Sequence, residues 1–441
     1  MAAANAIGAL LLPPGDGDRG WQEWLGMQEL HGRLPHALGA ESFAATGAPW
    51  VPHEWLFSAL LAAANAHALG WAFALAVGMC ATVALACVAL RCARAGASPP
   101  AIAFVMIFTH VAMSQSFGVR VQVVGWAMLA ALLLVLELPP RARPLAILVT
   151  VAWANVHASA ALAPVVCAAA AGGSLVAGDV RGAVRDGLIA LGAALAVCAT
   201  PLGTALPVYA VELAHSPIRH WIREWHPVTL RDAAMTFGAL PIVLLAACAV
   251  RRAPRRTLAL AAPFVYLLCL AVRNVPLAAI ACAPLAALGF DALVPSLARF
   301  RAIRSRAAGA LAGVLVFGLG AGASAVAAHA VVDPRPLAAL AAAERAPHAH
   351  RLFCEDFGWC GDATGKIAVF LDGRADPFPP AVWTAYDTIL HVRPAWRGTL
   401  RRYGVDAMLV NRGSALDRAA RGAGWRIARD GRVRLLLPAA R

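Results

Sequence analysis

The residues best suited to chemistry gather in one polar, aromatic stretch, 16–56, set between a short apolar N-terminus and a long series of apolar segments. It holds the acids Asp16, Asp18, Glu23, Glu29, Glu41 and Glu54, the histidines His31, His36 and His53, and the indoles of Trp21, Trp24, Trp50 and Trp55. A carboxylate placed within hydrogen-bond reach of a hydroxyl can take its proton, and indole rings suit the wet edge of a membrane. Asp18 stands just past the first apolar run, where a base can reach an acceptor hydroxyl while a lipid-linked donor keeps its chain in the bilayer. Asp16 and Asp18 beside Gly15 and Gly17 also fit an ordinary turn. HEWLF at 53–57 begins like a zinc-protease helix, but that motif needs a histidine four residues after the first, and position 57 is Phe. Glu54 is then a metal ligand, a partner for a sugar hydroxyl, or a residue at the membrane edge. The spacings of the loop histidines match no ligand pattern, so neither a metal nor another cofactor is expected.

Further polar groups interrupt apolar sequence. Trp153, Asn155 and His157 do so as WANVH, and such groups at membrane depth face a cavity or a partner helix. Arg120 with Gln122, and Arg273 with Asn274, sit at turns where positive charge is not expected. A guanidinium there suits a lipid phosphate, which it grips with two parallel hydrogen bonds; snorkelling from a helix end is the plainer alternative. In 213–235, Ile218, Trp221, Ile222 and Trp225 recur at helical spacing with Arg219, Arg223 and Glu224 between them, which predicts an amphipathic surface helix. Asp356-Phe357-Gly358 resembles a kinase magnesium motif by chance, since the glycine-rich and catalytic loops are lacking. Asp372-Gly373-Arg374 reads as a salt-bridged turn or as charged groups presented to a ligand.

The elements that must position these groups are membrane helices. With 60% hydrophobic and 14% charged residues over 441 positions, the chain has too little polar surface for a water-soluble globule. The net charge of +14 is almost wholly arginine, because Lys366 is the lone lysine. These arginines fall in clusters between apolar runs, as topology determinants do, and a nucleic-acid partner is not expected. Runs at 71–90, 101–118, 121–137, 145–156 with 158–178, 187–205, 236–250, 257–272, 275–293 and 307–331 meet or approach the roughly 20 residues a span requires. The clusters Arg91/Arg94, Arg141/Arg143, Arg181/Arg185, Arg251/Arg252/Arg255/Arg256 and Arg299/Arg301/Arg304/Arg306 mark alternate turns as cytoplasmic. With the short run 1–14 counted, about eleven spans result, N-terminus inside and C-terminus outside. That run lacks the basic start of a signal peptide, and reads as a clipped first span or a start codon placed too late.

After Asp333 the composition becomes that of a small soluble domain. IAVFLDGR (367–374) and DAMLVN (406–411) read as strands, 382–404 and 415–424 as helices, and 425–438 as a hairpin turning at Asp430-Gly431. The fold class is therefore a mainly α polytopic membrane protein, 1–332, with loops 16–56 and 206–235 on its outer side, followed by an α/β extracytoplasmic domain, 333–441. Eight of the ten cysteines lie in or beside apolar runs as packing residues. Cys354 and Cys360 lie in polar sequence and could close a small loop in an oxidising compartment.

Short motifs throughout the chain resemble a group of bacterial polytopic proteins similar to GT-C glycosyltransferases, the class of protein O-mannosyltransferases and lipid A aminoarabinose transferases. In the first loop these are D-x-G-W (Asp18, Gly20, Trp21), H-G-R-L-P (31–35), S-F (42–43) and P-W-V-x-H-E-W-L (49–56). Further on come R-V-Q (120–122), W-A-N-V-H (153–157), P-L-G (201–203), E-W-H-P (224–227), R-N-V-P-L (273–277), L-D-G-R-A-D (371–376) and Y-G-V-D (403–406). The resemblance implies a polyprenyl-phosphate sugar as donor, membrane lipid around it, an extracytoplasmic acceptor, Asp18 as base, and Arg120 and Arg273 on the phosphate. Where the group often has a second aspartate before S-F, this chain has Gly39-Ala40-Glu41. Either Glu41 stands in as a catalytic acid or the member is inactive. Trp21, His31, His53, Glu54, Gln122, Asn155, His157 and Glu224 complete the expected substrate-binding set. The leading expectation is an inverting glycosyltransferase of the bacterial inner membrane. A non-catalytic lipid-binding or assembly protein on the same scaffold comes second, and a transporter third, since no paired interrupted spans suggest inverted repeats.

Overall fold

The structure is a computed structural model and describes residues 17–114, 117–298 and 336–439. Asp16, the apolar runs 1–14 and 307–331, and Arg299, Arg301, Arg304 and Arg306 lie outside the described residues. Helices form on the apolar runs and also where none was expected, at α1 (Arg19–Leu30) inside the polar stretch and at α2 (Trp55–Ala66) after it; the others are α3 (Gly70–Arg94), α4 (Pro99–Ser114), α5 (Val121–Leu136), α6 (Leu145–Val156), α7 (Leu162–Val176), α8 (Val180–Ala196), α9 (Ala205–His215), α10 (Leu240–Ala249), α11 (Arg255–Leu270) and α12 (Val275–Leu293). The C-terminal part runs α13 (Leu337–Arg345), β1 (Arg351–Cys354), α14 (Phe357–Gly361), β2 (Ala368–Val369), α15 (Pro380–Leu390), α16 (Trp396–Tyr403), β3 (Ala407–Asn411), α17 (Ala415–Gly422), β4 (Arg426–Arg429) and β5 (Val433–Leu437). The chain is mainly helical with a small C-terminal sheet. Three helices are long and apolar enough to cross a membrane: Gly70–Arg94, Ala158–Val176 and Val272–Leu293. The 25 residues of α3 reach about 37 Å, more than the hydrocarbon core of about 30 Å.

Contacts divide the chain into two units, one of Met1–Pro13, Gly70–Ala214 and Ile222–Val331, the other of Pro14–Leu69, His215–Trp221 and Val332–Arg441. In the first, α12 is the central helix, with 78% of its apolar window buried. Its small inner residues let neighbours approach closely: a Cβ on Gly289 would overlap the backbone of Leu245. The arginine-bearing turns are tied to one another. Arg91, fully buried, pairs with Glu137 at 2.9 Å and donates to the Ile280 carbonyl at 3.0 Å. Asp186 pairs with Arg143 at 3.2 Å and also with Arg256, which donates to the Leu136 carbonyl. Glu137 and Asp186 thus bind together turns that the sequence marks by their arginines alone.

In the second unit the sheet order is β2-β1-β3-β5-β4, with β1 parallel to β2 and β3, and β5 antiparallel to β3 and β4. The inner strands are buried almost continuously, as flanked parallel strands must be, while β4 is exposed along its length and carries Arg426 and Arg429 on the edge. Helix α16 ends at Gly404 in the left-handed region, φ 65°, a conformation costly for other residues. The Ser414 hydroxyl caps α17 by accepting from the Asp417 N–H. The strands, helices and Asp430-Gly431 turn expected after residue 366 are all present, although the first strand is two residues long. Cys354 and Cys360 form a disulfide.

Candidate functional site

The loop 16–56, assigned from sequence to the membrane part, packs in the same unit as the C-terminal sheet. Glycines set this contact. A Cβ on Gly20 would overlap the backbone of Gly361 and Asp362, and one on Gly373 would come within 2.5 Å of the Asp18 carboxylate. At the centre lies the turn Asp372-Gly373-Arg374. Asp372 is fully buried and Arg374 nearly so. The guanidinium of Arg374 bonds Asp372 at 2.6 Å, Glu41 at 3.3 Å and the Ser42 hydroxyl, and lies over Trp50 at 4.9 Å and Trp24 at 5.4 Å. Burial pulls its pKa down, but Asp372 and Glu41 more than reverse this, leaving it raised. The backbone adds a bond from the Val369 N–H to the Glu41 carbonyl, 2.8 Å. D-x-G-W, S-F and L-D-G-R-A-D, far apart in sequence, meet here.

Asp18 accepts from the Trp21 indole at 3.1 Å, and Trp21 sits edge-on to Trp50. Glu54 is buried, accepts from Gln22 at 2.5 Å and lies 3.8 Å from His53. His31 is exposed at the end of α1, its Nδ1 2.6 Å from the Met27 carbonyl. Glu29, on the same helix, has both carboxylate oxygens buried with no hydrogen-bond partner among the described residues, and burial lifts its pKa to about 8.

The remaining expected residues belong to the helical unit. Arg120 precedes α5 and Gln122 lies in its first turn, both half-buried. Asn155 closes α6 and donates to the Ala199 carbonyl at 2.8 Å, joining W-A-N-V-H to the turn that carries P-L-G. His157 caps the next turn, its Nδ1 accepting from the Ser159 N–H at 3.0 Å. Arg273 lies 4.2 Å over the Trp225 ring and 3.8 Å from Glu224, and the Val272 N–H donates to the His226 carbonyl at 2.9 Å. E-W-H-P and R-N-V-P-L therefore form one cluster at the start of α12. Among the described residues the guanidinium of Arg273 makes no hydrogen bond.

The amphipathic helix expected in 213–235 is not formed. Helix α9 stops at His215, and the chain continues in 3-10 turns at Pro217–His220 and Arg223–Trp225, separated by the extended backbone of Ile222. Pro217 removes a backbone donor and restricts Ser216. Pro227 in turn holds His226 in extended backbone, so the second turn cannot grow into a helix. Trp221 and Trp225 part company as a result: Trp221 stacks on Trp383 at 5.7 Å while Trp225 meets Arg273.

Sequence reasoning passed over a cleft of about 450 Å³ in the second unit, lined by His220, Trp221, Glu355, Asp356, Asp387 and His391 among others. The Asp356 Oδ1 accepts from the Gly358 N–H at 2.9 Å, and burial raises its pKa. Burial also raises Glu355, against hydrogen bonds from Asn411 and Ser414. The Tyr386 hydroxyl, pushed well above its ordinary pKa by burial, donates to the Glu355 carbonyl at 2.7 Å. The chance likeness to the kinase triplet masks Asp356 in the sequence, and no other local signal marks it.

No protein-family model matches this chain. A search of curated proteins likewise finds no match.

Proposed function

We propose that this chain is a polytopic inner-membrane protein that moves a sugar from a polyprenyl phosphate to an extracytoplasmic acceptor with inversion, as the GT-C-like enzymes it resembles do. Arg273 carries the reading. Its guanidinium lies over Trp225, makes no hydrogen bond and only a loose 3.8 Å ion pair with Glu224 among the described residues, and sits in the 3-10 turn just before a 19-residue helix. A planar donor fork beside the positive end of a helix dipole suits a lipid phosphate. In the reaction, the acceptor hydroxyl attacks the sugar's anomeric carbon and gives its proton to Asp18. The anomeric bond to phosphate breaks, the phosphate oxygen keeps the electron pair, and Arg273 with Arg120 stabilises that charge.

About eleven spans, with the N-terminus inside and residues after 332 outside, accompany this reading. The tied arginine turns support the alternation of sides, and the Cys354–Cys360 disulfide supports an oxidising compartment for the second unit. Glu41, held by Arg374, serves the fold, which leaves Asp18 alone as base. That same ion pair favours the second reading, a non-catalytic lipid-binding scaffold. A transfer assay with a synthetic polyprenyl-phosphate sugar separates them. On the transferase reading Asp18→Asn loses about a hundredfold or more in rate with donor binding intact; transfer unchanged by Asp18→Asn removes the base assignment.

A further inference from the structure

The cleft of the second unit lies at a telling place in the sheet. From β1 the chain crosses to β2 on one side, then returns past β1 to β3 on the other, so β1 is the point where strand order reverses. Open α/β sheets bind ligands in the crevice outside the carboxyl ends of strands at such a switch point. Glu355 and Asp356 come directly after β1, and both line the cleft. Glu355 is fixed by the end of β3, its Oε2 accepting from the Asn411 N–H at 2.5 Å. Asp356 is fixed through Oδ1, and among the described residues its Oδ2 has no hydrogen bond. The lining is also aromatic: Trp221, half-buried, stacks on Trp383, and both line the cleft.

These walls select a ligand class. An anion would meet three carboxylates, since Asp387 also lines the cleft. A purely apolar ligand would strip water from the remaining acceptor positions of Glu355 and Asp356 and offer no donor in its place, a cost of kcal/mol scale. A neutral polyhydroxylated ring satisfies all of them, laying its C–H face on the indole while hydroxyls, which both donate and accept, meet carboxylates and the imidazoles of His220 and His391. A volume of about 450 Å³ falls within the range of about 300–1,000 Å³ for small-molecule pockets. We propose that this cleft binds a neutral saccharide ring, stacked on Trp221 and hydrogen-bonded by Asp356 and Glu355. The proposal does not rest on the transferase reading, because Asp18 and Arg273 do not line the cleft.

The test is saturation-transfer NMR on the full-length protein in a detergent that contains no sugar, with methyl glycosides of neutral hexoses and N-acetylhexosamines as probes and tetramethylammonium as the cationic control. Saturation of glycoside ring protons is expected in the wild type and in Arg273→Ala. Asp356→Asn, which keeps the oxygen that accepts from Gly358, and Trp221→Ala are each expected to weaken binding about ten- to a hundredfold. Trp221→Phe should restore part of it while the fold is unchanged. Saturation transfer to no glycoside, transfer equal in Asp356→Asn and wild type, or binding of tetramethylammonium in place of glycosides would each overturn the proposal. A wild type that binds glycosides but no polyprenyl phosphate would count against the transferase reading alone.

Discussion

Arg374 is buried because every direction around it is satisfied: two carboxylates, a hydroxyl and three ring faces. Removing one partner of such a group leaves the others charged and dry, so Arg374→Met is expected to cost about 3–5 kcal/mol, read as a fall in the unfolding midpoint. Glu41→Gln keeps a polar contact at the edge of the network and should cost less than half as much. Glu29 makes a second prediction at this scale. Burial holds its carboxyl near a pKa of 8 in the folded chain, so the folded state keeps a proton that the unfolded state loses above about 4.3. The stability gained is complete below the unfolded pKa and lost as pH rises through 8. The melting temperature of the wild type should therefore fall more than that of Glu29→Gln between pH 5 and pH 9; parallel curves would contradict the assignment.

At the scale of elements, the apolar runs were legible because hydrophobic length is a one-dimensional property, and α3, α5, α11 and α12 begin and end within two residues or so of the expected bounds, α3 excepted at its C-terminus. The hairpin at Asp430-Gly431 and the glycine close of the 415–424 helix were legible for a similar reason, since turn chemistry is local. The 213–235 segment was misread because helical spacing of Ile218, Trp221, Ile222 and Trp225 says nothing of the prolines that bracket them. The pairing of Glu41 with Arg374, 333 residues apart, has no local signature at all. Nor does the switch-point cleft, which exists only once β1 lies between β2 and β3. The Cys354–Cys360 link closes a short loop beside that cleft, and Cys354→Ser is expected to lower stability by about 2 kcal/mol. Gly20→Ala should loosen α1 from the disulfide loop, seen as faster proteolysis within 17–69, while Gly398→Ala, whose added Cβ meets open space in α16, leaves that contact in place.

For the molecule as a whole, the proposed topology puts the arginine turns and the disulfide on opposite sides of the membrane, which can be tested. In a background cleared of the other cysteines, Arg393→Cys should react with a membrane-impermeant maleimide from the periplasmic side, and Arg252→Cys only after the membrane is opened. The central claim is that Arg273, held over Trp225, receives the phosphate of a lipid-linked donor. Its most direct measurement is the binding of a polyprenyl phosphate to the purified full-length protein in detergent, wild type against Arg273→Ala. The account predicts specific binding by the wild type and a loss of about tenfold or more in the variant. Equal binding by both, or none by the wild type, would contradict it.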